Sequence, residues 1–336
     1  MKFKGVIALI MIFAVLVGAS AVANMFSYTA TEYALDTMCT ITAYGINSKK
    51  AVNDSFDVLK EFEDKISVHR NDSDISLLNS RVLIATRDED IFNMIKTALK
   101  VSKDTNRAFD ITIKPLVDLW NIKGSGPVPS DEEITYRLNS ISYTGVQVDF
   151  EKRDVFFTNP DTQIDLGGIA KGYCADKVAK VLENHGIKSA IIDLGGNVRT
   201  IGKKKGKVWR IGIQEPEGKR GEYFGILDIS DKCVVTSGAY ERYFTEKGKV
   251  YHHILDPRTG YPARSGITSV SIVADDGAIA DALSTAVYVL GVSDGLALLN
   301  SPEYDNIGYI ITDENGKVYI SENIDFEITS ESYAEG

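Results

Sequence analysis

The chain has 336 residues, 25% of them charged, and a formal net charge of −10 at neutral pH. This length can hold one large domain or two modest ones, and the acidic balance argues against nucleic acid or an anionic membrane as the main partner. A phosphate-bearing ligand is not excluded, because local donors and a metal ion can reverse the field at one site.

The first 23 residues carry the pattern of an export signal. Two lysines precede an apolar run over residues 6–17, and small residues then lead to an A-x-A-like cleavage site at 21–23. The apolar stretch also approaches the ~20 residues that span a bilayer, so cleavage and retention as a membrane anchor both stay open. We therefore interpret residues 1–23 as a signal peptide or an N-terminal membrane anchor, and residues 24–336 as one exported, extracytoplasmic domain.

Three cysteines, Cys39, Cys174 and Cys233, are far apart and lack the spacing of metal ligands. We interpret them as small apolar core residues rather than as a disulfide or a nucleophile. A chain with so few cysteines outside the cytoplasm must fold on its own apolar core.

The predicted elements place strands in runs with helices between some of them and no regular βαβ repeat, which is typical of an α+β fold. Helices are predicted at 49–66, 88–102, 169–183, 276–290 and 294–299, with shorter ones after Pro115 and at the start of 135–157. Strands are predicted at 26–44, 164–166, 189–201, 208–214, 223–229, 233–236 and 267–274, and a hairpin at 306–320. Residues 67–80 and 124–130 have turn and loop composition, and the acidic C-terminal residues are expected to be loose.

The stretch over residues 164–176, IDLGGIAKGYCAD, is the centre of the interpretation. Gly167 and Gly168 allow a tight turn before a helix N-terminus, where unpaired N–H groups bind phosphate readily and Lys171 adds a positive charge. Many αβ units use the same turn for packing alone, so a phosphate site and a packing turn both fit the pattern. The similar segment IIDLGG at 191–196 raises the hypothesis of a weak internal duplication.

Asp281 and Thr285 lie four residues apart on a strongly apolar predicted helix and so share one face. A partly buried carboxylate needs a counter-charge or a metal. With a hydroxyl and a backbone carbonyl it offers hard oxygen ligands, which suit Mg²⁺ completed by phosphate oxygens and water. The alternative is that Asp281 only hydrogen-bonds to nearby backbone groups.

His252 and His253 precede the turn DPRTGYP, and consecutive strand residues point their side chains to opposite faces. One of them can face a ligand as a general base or phosphate partner while the other is structural, and an exposed His without a role is the alternative. A Ser-His-Asp hydrolase built on residues 236–238 is disfavoured, because the sequence has no G-x-S-x-G motif. It also has no Walker A and no G-x-G-x-x-G motif.

Together these segments resemble the ApbE family, the FAD:protein FMN transferases, from about residue 34 to about residue 320. Eight motifs stand in the family's order: DTMCTITAY, SVHRNDSDISLLNS, AFDITIKPLVDLW, IDLGGIAKGYCAD, IIDLGGNVRTIG, VVTSGAYERYF, HHILDPRTGYPA and ADALSTA. The resemblance implies an ApbE-like α+β fold with mixed or antiparallel sheets packed against helices and with FAD in a cleft between two lobes.

The resemblance also implies an activity and its residues. Such enzymes bind FAD and Mg²⁺, attach FMN through a phosphoester bond to a Thr or Ser hydroxyl of a partner redox protein, and release AMP. The implied flavin and nucleotide contacts are Met38, His69, Ala108, Phe109, Asp110, Gly167, Lys171, Tyr173, His253 and Ile254. The implied Mg²⁺ ligands are the Ala170 carbonyl, Asp281 and Thr285. Asp281 and His253 are the expected catalytic residues, with His253 or Asp256 taking the acceptor's proton.

Two residues depart from the family pattern. Cys39 replaces a Gly that is frequent after the Met, which we interpret as a packing change, and the departure at His69 matters more. His69 stands where many members carry a Tyr, and a His offers less area for stacking on a flavin. An FAD pyrophosphatase that hands FMN to water, and a flavin-binding protein without catalysis, are therefore the alternatives. An assay with FAD, Mg²⁺ and an acceptor protein separates the three.

Overall fold

The structure of the protein is a computed structural model, and it describes residues 26–81, 85–86, 88–124, 126–216, 218–219 and 221–336. The predicted signal or anchor at 1–23 lies outside the described residues. Within the described ranges, no helix combines the length and the apolar character that crossing a membrane requires.

The helices follow the predicted apolar periodicity. Within the described residues the α-helices are α1 (Ser48–Ile66), α2 (Asp74–Asn79), α3 (Glu89–Asp104), α4 (Lys114–Trp120), α5 (Asp131–Leu138), α6 (Ala170–Asn184), α7 (Gly277–Leu290) and α8 (Val292–Leu299). Asp88 and Asp276 cap α3 and α7 by accepting hydrogen bonds from first-turn N–H groups. Pro115 stands in the first turn of α4, where its fixed φ and missing N–H are tolerated.

The strands form one large sheet and several smaller ones. They are β1 (Ser27–Ala34), β2 (Thr37–Tyr44), β3 (Val146–Asp149), β4 (Asp154–Phe157), β5 (Ser189–Leu194), β6 (Asn197–Gly202), β7 (Trp209–Gln214), β8 (Tyr223–Ile229), β9 (Cys233–Gly238), β10 (Tyr243–Glu246), β11 (Lys249–His252), β12 (Ile267–Ala274), β13 (Gly308–Asp313), β14 (Lys317–Ile320), β15 (Asp325–Ile328) and β16 (Ala334–Glu335). Among the described residues the large sheet has nine strands in the order β1-β2-β5-β6-β9-β12-β13-β14-β16. Its pairs are antiparallel except for β14 with β16, so the predicted α+β class with mixed sheets is confirmed.

The strand character predicted for residues 26–44 is confirmed, but the chain reverses in the middle, so the stretch is a hairpin of two strands rather than one. Leu35 and Asp36 form its turn with φ of 50° and 62°, the left-handed pair that matches the twist of a two-residue hairpin. The alternation of Thr, Tyr and Ile is the same before and after the turn, so the pattern does not signal the reversal.

Two other predictions are wrong. The C-terminal residues are not loose, because β15 pairs with β8 and β16 pairs with β14. The internal duplication has no structural counterpart: Gly195 and Gly196, at φ of 65° and 95°, turn β5 back into β6, whereas residues 167–169 lead into α6.

Two layers cover the two faces of the large sheet. Helices α1, α6 and α7 pack on one face, and the small sheet of β7, β8 and β15 packs on the other. Neighbouring strand residues alternate between the layers, since Val235 belongs to the helix-side core and Val234 to the second core. Cys39, Cys174 and Cys233 are buried free thiols, as predicted.

Candidate active site

The glycine turn before α6 is held by side-chain and loop contacts. The strand end predicted at 164–166 is wrong, because the side-chain amide of Asn79 takes the place of a neighbouring strand. Its Nδ2 donates to the Ile164 carbonyl and its Oδ1 accepts from the Ile164 N–H, each at 2.8 Å. The Asp165 N–H donates to the Ile111 carbonyl at 2.8 Å. An Asn side chain carries the same donor and acceptor as a peptide group, so this extended segment is satisfied outside any sheet.

Helices α6 and α7 cross at two glycines, so closely that no side chain fits between them. A Cβ on Gly172 would lie 1.9 Å from the Gly277 carbonyl oxygen, and a Cβ on Gly277 would lie 2.4 Å from that of Gly172. Each helix also supplies a carboxylate to the other. The Gly172 N–H donates to Asp281 Oδ2 at 2.9 Å, and the Gly277 N–H donates to Asp176 Oδ2 at 2.7 Å. The Gly172 N–H is therefore engaged by Asp281 and not free to bind phosphate.

Asp281 and Thr285 face the start of α6, as their shared helix face predicts. Asp281 is 3% exposed, and its Oδ1 lies 3.8 Å from Lys171 Nζ. Thr285 Oγ1 lies 3.5 Å from both the Asp281 carbonyl and Ser237 Oγ, which is long for a hydrogen bond. Ala170, whose carbonyl is the third predicted ligand, is the first residue of α6. The three groups are hard oxygen donors, the kind that Mg²⁺ prefers.

The AFD segment packs behind the glycine turn. Ala108 and Phe109 are 1% and 5% exposed, and Phe109 Cε2 would lie 3.0 Å from a Cβ on Gly168. On its other side Gly168 faces α7, where Thr285 Oγ1 would lie 3.8 Å from the same Cβ. Gly168 is therefore required as a close packing position between the Phe109 ring and α7.

Asp110 has its hydrogen bonds within the fold. Its Oδ1 accepts from the N–H and the hydroxyl of Thr112 at 2.9 and 2.6 Å, and its Oδ2 accepts from the Tyr143 N–H at 3.0 Å. The carboxylate is 3% exposed. It thereby fixes the loop that carries Phe109 against the turn.

The two histidines at the end of β11 point in different directions, as strand alternation predicts. His252 is 7% exposed and its Nε2 lies 2.9 Å from the Ala263 carbonyl, so it is the structural one. His253 is half-buried, and its main-chain N and its Nδ1 lie 3.0 and 3.2 Å from the Arg242 carbonyl. Because a carbonyl only accepts, Nδ1 carries the proton and Nε2 keeps a free lone pair. Ile254 follows and is 4% exposed.

His253 is better placed than Asp256 to take a proton. Burial, together with the charges of Arg242 and Lys171, lowers the pKa of His253 to about 3, so its ring is neutral near pH 7. The oxygens of Asp256 are engaged by Arg258, with Oδ1 accepting from Nε at 2.9 Å and Oδ2 from Nη2 at 3.0 Å. The sequence leaves the choice between these two residues open, and their partners in the structure favour His253.

A charged cluster that the sequence does not mark lies beside Met38. Arg242 Nη2 lies 3.1 Å from Asp36 Oδ2, and Lys123 also pairs with Asp36. Met38, two residues further along β2, is 42% exposed. Because the Arg242 carbonyl also binds His253, these contacts bring the β1–β2 turn next to the end of β11.

Ser237 is a second residue at the site whose place there residue spacing does not predict. Its Oγ lies 2.8 Å from Ser284 Oγ and 3.5 Å from Thr285 Oγ1. The motif VVTSGAYERYF contains both Ser237 and Arg242, so the signal for them is the motif. No spacing rule pairs a hydroxyl at a strand end with a helix residue 48 positions later.

Two predicted contacts are not joined to this cluster. The Tyr173 hydroxyl donates to Asp90 Oδ1 at 3.0 Å, and its ring stacks on Phe62 with centroids 5.8 Å apart. Lys171 and Tyr173 are two positions apart in α6, which separates them by about 200° around the helix axis, so Tyr173 faces away from Lys171. Its contact with FAD stays a prediction. His69 is exposed between α1 and α2, and its main-chain N–H donates to Ser67 Oγ at 3.3 Å. Its flavin contact stays a prediction.

Comparisons with known proteins lead to one family. The ApbE family profile matches residues 35–311. An FAD:protein FMN transferase of Klebsiella pneumoniae (strain 342) is 37% identical over 269 residues, which are 79% of this chain and 83% of that protein. One from Treponema pallidum (strain Nichols) is 34% identical and covers 82% of each chain. The crystal structure of an ApbE protein from Thermotoga maritima has a TM-score of 0.81 at 35% identity, covering 88% of this chain and 97% of that one. The flavin transferase ApbE from Vibrio cholerae has a TM-score of 0.75 at 26% identity, with coverages of 89% and 98%.

Proposed function

This chain belongs to the ApbE family, and on that basis we propose that it is an FAD:protein FMN transferase. It would attach FMN through a phosphoester bond to a Thr or Ser hydroxyl of an acceptor redox protein and release AMP. The observation that carries the proposal is that Asp281 and Thr285 of α7 face Lys171 at the start of α6, and that the charge of Lys171 acts on the neutral ring of His253. The pyrophosphate needs a positive charge, which Lys171 supplies, and the acceptor hydroxyl needs a base, which His253 supplies.

We propose that Mg²⁺ binds to Asp281, Thr285 and the Ala170 carbonyl. The donors fit this ion, because Asp281 is a buried carboxylate whose Oδ1 has a counter-charge only at 3.8 Å, and Thr285 Oγ1 has only long contacts within the described residues. Mg²⁺ bound there would neutralise pyrophosphate charge and polarise the phosphorus. Across the described ranges, no three His, Cys, Asp or Glu side chains come together as metal ligands, so water and phosphate oxygens would complete the shell.

The protein's own groups would orient the substrate and move the proton. The acceptor hydroxyl attacks the phosphorus of the FMN half, and the bridging P–O bond breaks. AMP leaves with the bridging oxygen, and the hydroxyl proton passes to Nε2 of His253. The substrate's negative charge offsets the fields of Arg242 and Lys171, which raises the pKa of His253 and makes it a better base than in the free protein.

The experiment is an incubation of the protein with FAD, Mg²⁺ and the exported proteins of its own organism, followed by a denaturing gel viewed by flavin fluorescence. A covalently fluorescent band supports the transferase. Release of free FMN and AMP without such a band refutes the transferase in favour of a pyrophosphatase. This distinction matters because His69 stands where many family members carry a Tyr. Intact FAD after long incubation refutes both in favour of a binding protein.

We also propose that the protein acts outside the cytoplasm, from the signal pattern at 1–23. Cell fractionation with mass spectrometry of the N-terminus tests this. A chain that begins after Ala23 indicates a cleaved signal, and an intact chain in the membrane fraction indicates an anchor. An intact chain in the cytosol would contradict export.

A further inference from the structure

A cavity of about 590 Å³ lies beside the hairpin of β10 and β11. Gly126 and Pro127 line one wall, and the residues of β10, 243–246, line the other. No residue of β11 lines it, so the cavity runs along the edge of β10 rather than across a face of the hairpin. Its volume lies within the roughly 300–1,000 Å³ of ligand-binding pockets.

The edge of β10 presents main-chain groups to this cavity. Lys247 and Gly248, at φ of 50° and 76°, form a two-residue turn, so the flanking pair Glu246 and Lys249 is hydrogen-bonded across the hairpin. Hydrogen-bonded and non-hydrogen-bonded pairs alternate along an antiparallel ladder, so Arg242 and His253 should again form a hydrogen-bonded pair. The His253 N–H does donate to the Arg242 carbonyl, at 3.0 Å. The N–H and C=O groups of Tyr243 and Thr245 therefore point away from β11.

One end of the cavity is fixed by a hydrogen bond, and at the other end β10 leads to a residue that contacts His253. The Val128 N–H donates to Glu246 Oε2 at 3.1 Å, which ties the loop after Pro127 to the end of β10. At the other end, β10 begins one residue after Arg242, whose carbonyl binds His253. The edge of β10 is thus linked through Arg242 to His253, the proposed proton acceptor.

We propose that the acceptor protein binds as an added strand on the edge of β10, with its Ser or Thr hydroxyl presented to His253. This rests on the proposed transferase function and names how its protein substrate is held. An extended segment would hydrogen-bond to Tyr243 and Thr245 through its main chain, which gives affinity with little dependence on sequence. The Tyr243 ring, in a residue that is 55% exposed, would cover alternate side chains of the segment.

The test compares two proline variants of the same cross-strand pair. Thr245 and Val250 face each other in the hairpin, and both are non-hydrogen-bonded, so each substitution removes an N–H that points outwards. Thr245→Pro removes it on the cavity edge, and Val250→Pro removes it on the opposite edge. The probe is a library of short peptides with a central threonine and randomised flanks, and FMN transfer is read by mass spectrometry. FAD affinity is measured separately by flavin fluorescence.

We expect Thr245→Pro to raise the KM for a modified peptide about tenfold, the equivalent of one lost hydrogen bond, and to leave FAD affinity unchanged. Val250→Pro should match the wild type in both measurements. Equal peptide KM values for all three proteins would overturn the strand proposal while leaving the transferase function standing. Loss of FAD affinity in Thr245→Pro would overturn it too, since the cavity would then hold flavin.

A second measurement does not depend on how the variants fold. N-methylation of alternate amides in the modified peptide should abolish transfer in one phase and be tolerated in the other, because a strand uses every second amide for one edge. Tolerance in both phases would overturn the proposal. If the wild type binds FAD and modifies no peptide, an extended segment is not sufficient and the strand proposal fails. The transferase function would then be judged by the gel assay on whole proteins.

Discussion

Asp281 has two separate roles, a hydrogen bond that joins two helices and a negative charge at the site, and one substitution can remove the second while keeping the first. One oxygen accepts the Gly172 N–H and holds two helices together, while the negative charge faces Lys171 and the proposed metal. Replacement by Ala would leave a buried N–H unpaired, which costs about 1–3 kcal/mol by itself. Replacement by Asn keeps an acceptor oxygen and removes the charge.

We therefore expect Asp281→Asn to lower FMN transfer by about 100-fold or more and to change the melting temperature little, because only the electrostatic contribution is lost. Steady-state transfer assays across a range of Mg²⁺ concentrations and thermal unfolding measure the two effects. Transfer at the wild-type rate would place the metal elsewhere.

Asp176→Asn is the matched control. Asp176 accepts the Gly277 N–H across the same helix pair but is not among the site residues. It should keep transfer activity close to wild type. Equal losses in both variants would mean that the helix contact, rather than the charge of Asp281, supports activity.

The protonation of His253 can be followed directly by NMR, because the chain has four histidines. In the free protein its pKa is about 3, so its ring resonances should not titrate as the pH falls from 8 to 5. On binding FAD we expect the pKa to rise, since the pyrophosphate offsets the charges of Arg242 and Lys171. His253→Ala assigns the signal. A pKa near 6.5 in the free protein would contradict the buried environment described here.

At the scale of elements, the contact between α6 and α7 is what positions the site. Gly172→Ala adds a methyl group where the Gly277 carbonyl oxygen would be 1.9 Å away. Ala gains about 1 kcal/mol over Gly in helix propensity, but the overpacking costs about 3 kcal/mol or more. We expect lower thermal stability and, because Asp281 is displaced, lower transfer activity.

Gly186→Ala provides the comparison for that variant. Gly186 follows the end of α6 at φ of 77°, and nothing lies within 4 Å of an added Cβ. The strain of a left-handed Ala costs about 1 kcal/mol, and transfer activity should be unchanged. If Gly172→Ala were no worse than Gly186→Ala, the close crossing would not govern the site.

Elements with a long periodic pattern are predictable from this sequence, and those set by a single contact are not. The apolar spacing predicts α1, α3, α6 and α7 to within a few residues, and Gly186 ends α6 as expected. The segment at 164–166 has the composition of a strand, but its hydrogen-bonding partner is the side chain of Asn79, 85 residues away. No local pattern reports such a partner.

At the scale of the whole molecule, the pairing of strands in the large sheet brings the segments of the proposed site together. Met38 is the second residue of β2, Ser237 lies near the end of β9, and the Gly195–Gly196 turn lies beside Thr37, all at one end of the large sheet. The motif order identifies these segments, and the shared helix face of Asp281 and Thr285, the proposed metal ligands, follows from helix spacing. The links through Asp36, Lys123 and Arg242 depend on tertiary contacts and could not be read from the sequence.

We expect the ionisation of Asp176 to make the free energy of unfolding of the whole chain depend on pH. Burial raises its pKa to about 6, above its ordinary value of 3.8, so the charged form is disfavoured in the folded state. Its unfavourable contribution is absent below pH 4 and grows as the pH rises towards 6. Asp176→Asn should therefore gain about 2 kcal/mol on the wild type between pH 4 and pH 7, a figure reduced for partial solvent screening. Urea unfolding at the two pH values measures this, and a constant difference would contradict it.

The direction of β1 determines where the proposed active site would lie relative to a membrane that holds the N-terminus. β1 runs for eight residues from Ser27 to Ala34, a rise of about 26 Å, and its far end lies next to Asp36 and Met38. If residues 1–23 are retained as a membrane anchor, the chain would therefore leave the bilayer at the opposite pole, and the proposed active site would be held clear of the membrane and turned outwards. Hydroxyls on domains that project into the same aqueous space would be reached, and those lying at the level of the headgroups would not.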